Sequence, residues 1–106
     1  MEIIPAKLLR IYLKEEDKYE KEPLLELIVK ILKKNNVSGV TVLRGLYGHG
    51  MRGTSRIDII RLSMNLPIVI ECVEYEDKLM KILPKITDII GENGLIHILD
   101  VEVVKK

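Results

Sequence analysis

Phenylalanine and tryptophan are absent from the 106 residues, and four tyrosines supply all the aromatic rings. Sheets that recognise RNA stack bases on exposed aromatics, so this chain lacks that platform and nucleic acid is not expected as a partner. Cysteine occurs once, at Cys72, which excludes an intrachain disulfide and leaves an oxidising compartment unneeded. The two histidines, His49 and His97, are far apart and share no ligand spacing with Cys72, so no metal site is expected. No apolar run approaches the ~18–20 residues that cross a bilayer, and "MEIIPAKLLR" lacks the long apolar region of a signal peptide. A cytoplasmic location is the expectation. Charge of one sign is missing too: 17 Lys+Arg against 16 Asp+Glu give a formal net charge of +1. Any anion site must therefore come from local clustering rather than bulk attraction.

What is present is enough to fold: 47% hydrophobic and 31% charged residues give one core and one domain over 1–106. "KLLRIYLK" alternates as a strand over 7–14, with Leu9, Ile11 and Leu13 on one face and Leu8, Arg10 and Tyr12 on the other. "EEDKYEKE" reads as a solvated loop. Pro23 suits a first helical position, and Leu24, Leu25, Ile28, Ile31 and Leu32 continue a helix to about Asn35. Strands follow over 40–44 and 68–74, then a helix across "EDKLMKILPKITDII", where Pro84 predicts a kink or a shifted start. After "GENG", "LIHILDVEVV" is a last strand. The order βαββαβ has few compact solutions, and the expected one is a ferredoxin-like α+β sandwich: a four-stranded antiparallel sheet with both helices on one face. Both faces of its strands carry apolar side chains, so the helix-free face is expected to be buried in a homo-oligomer. Cys72 reads as a packed strand residue, His97 as a packed or interface strand residue, and Glu71 and Glu74 as solvated edge charges.

Between Arg44 and Ile68 the chain spends more than twenty residues where a hairpin turn would join the strands. "RGLYGHGMRGTSR" holds four glycines, a histidine and three arginines. Glycines permit positive φ and close approach of backbone N–H groups to a ligand, and arginine forks match phosphate or carboxylate. The candidate ligand-binding set is Arg44, Gly45, Gly48, His49, Gly50, Arg52, Ser55 and Arg56, with Thr54 as a further hydroxyl, and a small anion as its ligand. No catalytic constellation accompanies it: Cys72 lies in an apolar strand, and no paired asparagine is placed to position water as an acylphosphatase would require. The expectation is a binding protein, not an enzyme.

"GVTVLRGLYGHG", followed by "SRIDIIRLSMNLPIVIECVEYEDKLMKILPKITDIIGENGLIHILDVEVV", resembles the PII-like family of unknown function, relatives of the PII nitrogen-signalling proteins; "LRIYLKEEDKYEKEPL" extends the likeness across essentially the whole chain. The resemblance implies a homotrimer whose three sheets face one another and a T-loop at about 45–66. It implies an adenine nucleotide bound between subunits at the base of that loop, and a regulated partner such as a membrane transporter. PII proteins carry a basic B-loop where this chain has the short, acidic "GENG", so AMP or ADP is expected rather than a firmly gripped triphosphate. A trimeric adaptor that binds protein without nucleotide is the alternative.

Overall fold

The computed structural model describes residues 1–50, 53–56 and 65–106, with the backbone alone at Gly50 and 53–56. In chain order the elements are β1 (Glu2–Lys14), β2 (Lys18–Tyr19), β3 (Glu22–Pro23), α1 (Leu24–Lys34), β4 (Thr41–Arg44), β5 (Tyr47–Gly50), β6 (Gly53–Arg56), β7 (Pro67–Glu74), α2 (Glu76–Ile90) and β8 (Leu95–Lys105). The main sheet is four-stranded, ordered β4-β7-β1-β8, and every neighbouring pair is antiparallel. This is the ferredoxin-like arrangement expected from the sequence.

The core lies between the sheet and the two helices. Period-2 alternation sends Leu9, Ile11 and Leu13 of β1 and Ile68, Ile70 and Cys72 of β7 towards the helices. Helical spacing brings Leu24, Ile28 and Leu32 of α1, and Leu79, Ile82, Ile86 and Ile90 of α2, down onto them. Each such side chain contributes roughly 1.5–3 kcal/mol relative to an exposed one.

Four details depart from the sequence expectations. β1 begins at Glu2, not residue 7: Pro5 pairs with Glu102 of β8 where β7 no longer flanks β1, so its missing donor leaves no gap in a ladder. The charged stretch is a small hairpin, β2–β3, turned by Glu20 and Lys21 at φ 48° and 72°, with Tyr19 packed against the core. Pro23 caps α1 rather than opening it. Helix α2 keeps its start at Glu76 and holds Pro84 within it, so the start is not shifted.

Glu74 also departs, being buried rather than solvated. Its carboxylate accepts N–H bonds from Ser38 (3.1 Å) and Tyr75 (3.2 Å) and lies 3.7 Å from Lys78 Nζ, tying the turn before β4 to the start of α2.

The helix-free face is ordered in rows. Thr41, Glu71, Arg10 and His97 are directly opposite one another across all four strands. Arg10 Nε donates to Glu71 at 2.6 Å. On one side of this polar row lie Leu43, Val69, Tyr12 and Leu95, and on the other Val73, Leu8 and Leu99. Tyr12 and His97 meet edge to face, with ring centroids 5.4 Å apart. Leu43, Tyr12, Leu95 and Leu99 are exposed at 51, 36, 55 and 39%. This is the second apolar face that the strand pattern anticipated.

Candidate functional site

The glycine-arginine segment leaves the sheet at the end of β4 and folds back on itself. Tyr47 pairs with Arg56, Gly48 with Ser55, His49 with Thr54 and Gly50 with Gly53, so β5 and β6 form a hairpin of their own. The sequence offered a long connection with no element in it; the backbone pairing is the addition. Arg52 lies outside the described residues, as does most of the remaining connection to β7. His49 is exposed and sits in the β5 half of the ladder.

The hairpin rises from a tightly bound base. Gly45 N–H donates to Pro67 O at 2.8 Å. A Cβ on Gly45 would stand 2.7 Å from Pro67 Cγ, and one on Gly48 would stand 3.1 Å from the same atom. Neither glycine has a positive φ; the left-handed glycine among the described residues is Gly91. The freedom that glycine allows is used here for close packing, letting the hairpin stem lie against the Pro67 ring, and the expectation that the Gly45 N–H is offered to a ligand is corrected, since it is spent on Pro67 O.

Arg44, the last residue of β4, is not an isolated cation. Its Nη2 lies 2.8 Å from Glu15 Oε2, while Glu15 Oε1 accepts the Leu66 N–H at 3.0 Å and Glu15 N–H donates to Leu66 O at 2.9 Å. Glu16 N–H donates to Asn65 Oδ1 at 2.8 Å, and Asn65 adopts φ 51°. Burial alone would raise the Glu15 pKa, but the Arg44 hydrogen bond, the Leu66 N–H and the guanidinium charge outweigh it and hold the carboxyl below its ordinary value. The end of β1, the end of β4 and the approach to β7 are thus locked together. About half of the Arg44 side chain remains exposed, leaving guanidinium donors free to face a ligand. Sequence reasoning missed Glu15, which sits inconspicuously in a charged run; only the register of β1 against β7 places it beside Arg44.

Around this base Leu46 and Tyr47 are exposed at 69 and 64%. The turn "GENG" is closed: Gly91 N–H bonds to Thr87 O, Asn93 N–H bonds to Ile90 O, and a Cβ on Gly94 would lie 2.6 Å from Tyr12 O. It has neither the length nor a basic side chain with which to wrap phosphates. Among the described residues no cluster of histidine, cysteine and carboxylate could hold a metal. Cys72 is buried, and burial with the nearby Glu74 charge pushes its thiol up to about 11, the opposite of an activated nucleophile. No helix among the described residues is long and apolar enough to cross a membrane.

Comparison with known proteins agrees with this fold over the whole chain. A UPF0166 protein of Methanocaldococcus jannaschii is 50% identical over 97% of this chain and 95% of its own, and a UPF0166 protein of Aquifex aeolicus is 31% identical over 98% of each. Among solved structures, CPII, a nitrogen regulatory PII-like protein from Thiomonas intermedia K12 bound to ADP, AMP and bicarbonate, superposes with a TM-score of 0.74. It is 20% identical, over 98% of this chain and 100% of that one. At that identity the likeness establishes the fold. A family model described as Uncharacterized ACR matches residues 6–103, and with it this chain belongs to the DUF190 family, an uncharacterised family related to PII.

Proposed function

We propose that the chain is a cytoplasmic, homotrimeric PII-like regulator. It binds AMP or ADP in clefts between subunits at the base of the β5–β6 hairpin and signals occupancy through the hairpin to a partner protein, a membrane transporter by analogy with PII. The observation that carries this reading is the fixed, half-exposed Arg44 at the foot of a glycine hairpin, in a fold shared end to end with a protein bound to ADP and AMP. In this reading 1–106 act as one unit. Arg44 holds the phosphate from the rigid strand end, with Gly45 spending its N–H on Pro67 O and letting the stem pack closely beside the site, and Gly48, His49, Gly50, Arg52, Ser55 and Arg56 are the further ligand-binding residues. Nothing in it requires catalysis. The helix-free sheet face, too apolar to stay wet, faces its copies at the centre of the trimer.

ATP gains little here, because "GENG" offers no basic side chain and places Glu92 beside any γ-phosphate entering from that side. The adaptor alternative draws on a different observation: Leu46 and Tyr47 are exposed apolar groups at the hairpin stem that a protein partner could cover without nucleotide. Titration calorimetry and thermal shift with AMP, ADP and ATP separate the two. AMP or ADP should bind at least as well as ATP and raise the melting temperature, since binding to the native state stabilises it. Arg44→Ala should weaken binding by roughly ten- to hundredfold. No heat and no shift with any of the three leaves the adaptor.

A further inference from the structure

The helix layer carries a groove of its own, about 300 Å³ in volume, where the β2–β3 hairpin meets α1 and α2. None of its described lining residues belongs to the four-stranded sheet. Its floor is apolar: Leu27 and Ile31, one turn apart on α1, Ile89 of α2 and Tyr19 of the hairpin. Each helix returns along the strand before it, and β1 and β7 are antiparallel, so α1 and α2 run in opposite directions. Helical spacing then carries both from apolar to basic the same way along the groove: from Leu27 through Ile31 to Lys34 on α1, and from Ile89 back to Lys85 on α2. With Lys30, three exposed lysines rim this end, and none has an ionic partner among the described residues.

The opposite end is acidic, and the hairpin makes it so. The turn between β2 and β3 passes through Glu20 and Lys21 at φ 48° and 72°, a conformation that two-residue hairpin turns ordinarily fill with asparagine or glycine. It is held in place all the same: Leu24 N–H donates to Asp17 O at 2.9 Å, and Asp17 N–H donates to Lys14 O at 3.1 Å. Tyr19 and Glu22 pair directly across the hairpin and share a face of it. That face lines the groove, with Glu20 beside it, and neither glutamate has an ionic partner among the described residues. A strained turn kept by its surroundings, with charged residues where asparagine or glycine would relax it, points to a use for what it displays.

The groove is thus apolar along its floor, basic at one end and acidic at the other. A simple anionic amphiphile would satisfy the lysines and leave the two carboxylates facing its tail. An amphipathic helix with acidic residues at one end and a basic residue at the other satisfies every group. Leu27 to Lys34 is about 10 Å of helix, which matches two turns of such a partner. We propose that this groove is a docking site for a two-turn amphipathic helix of a partner protein, with acidic residues on the three lysines, apolar anchors over Leu27 and Ile31, and a basic residue against Glu20 and Glu22. The site goes beyond the nucleotide reading and does not depend on it. The helices lie on the opposite side of the sheet from the open face, so the groove stays accessible when copies cover that face.

Selection of random dodecapeptides displayed on phage against the full wild-type chain, followed by fluorescence anisotropy of the enriched peptides, tests the docking site. Enriched peptides should carry acidic and basic residues on opposite sides of an apolar pair spaced by four. Lys34→Glu with Lys85→Glu, at exposed helix positions, should leave circular dichroism unchanged and weaken these peptides by about tenfold or more. Glu22→Lys should weaken them less, by about threefold, and a proline in the middle of the peptide should abolish binding. No enrichment, or enriched peptides that bind the lysine variant as tightly as wild type, overturns the site. Peptides that carry only acidic residues and ignore Glu22→Lys show general attraction of anions and overturn the proposed partner, as does binding that survives the proline.

Discussion

The two faces of one sheet receive nearly the same kind of residue and have opposite fates. On the helix side Leu9, Ile11, Ile70 and Cys72 are sealed, and the buried Glu74 has its hydrogen bonds supplied from within the chain. On the other side Leu8, Tyr12, Leu43 and Leu99 flank an Arg10–Glu71 pair that still meets solvent. A strand pattern records how much apolar surface a sheet carries, not which chain will cover it. The helix side is completed by this sequence alone; the open side is written for an assembly.

The largest break in that comparison should come from the sealed side. Ile11→Ala leaves a cavity beneath both helices and should cost about 2–5 kcal/mol, lowering the melting temperature by more than about 10 °C at every protein concentration. Leu8→Glu on the open side should leave the protomer folded yet lower the mass measured by light scattering, because assembly would have to desolvate an unpaired carboxylate. A smaller effect belongs to the hairpin foot. Gly45→Ala drives a methyl into Pro67 and should cost about 1–3 kcal/mol by thermal unfolding, in a region where either face could otherwise adapt. Smaller again is the acid response of the Glu15–Arg44 lock. With its pKa lowered on folding, Glu15 stabilises the native state above its ordinary value of 4.5, and that contribution disappears as pH falls through the lowered folded value. Glu15→Gln should accordingly flatten this part of the acid-unfolding curve. The faintest contrast is chemical: native Cys72, with its thiol near 11, should resist iodoacetamide at pH 8 and react only on unfolding.

The elements whose periodicity is set by burial were legible in the sequence: "EDKLMKILPKITDII" is α2 residue for residue, and the last two main-sheet strands differ from expectation by one residue at an end. What escaped was set by tertiary neighbours. Pro5 reads as a strand breaker unless β7 is known to stop at its partner Lys7, and Glu20 and Lys21 do not announce a left-handed turn. In the candidate site the arginine and glycines were visible, but their local physics was not. Gly45 and Gly48 serve contact with Pro67, and Arg44 is held by a carboxylate more than twenty-five residues earlier.

The pairing of Glu2 with Lys105 has a consequence for how the molecule comes into being. β1, one of the two inner strands of the sheet, has β7 and β8 as its ladder partners, and both are drawn from the far half of the sequence. Non-local pairing of this kind folds slowly, since the loops must close before the contacts that compensate for them exist. Until they do, β1 has apolar side chains on both sides and two unpaired edges. During refolding at high concentration, "LLRIYL" is therefore the segment expected to seed aggregation.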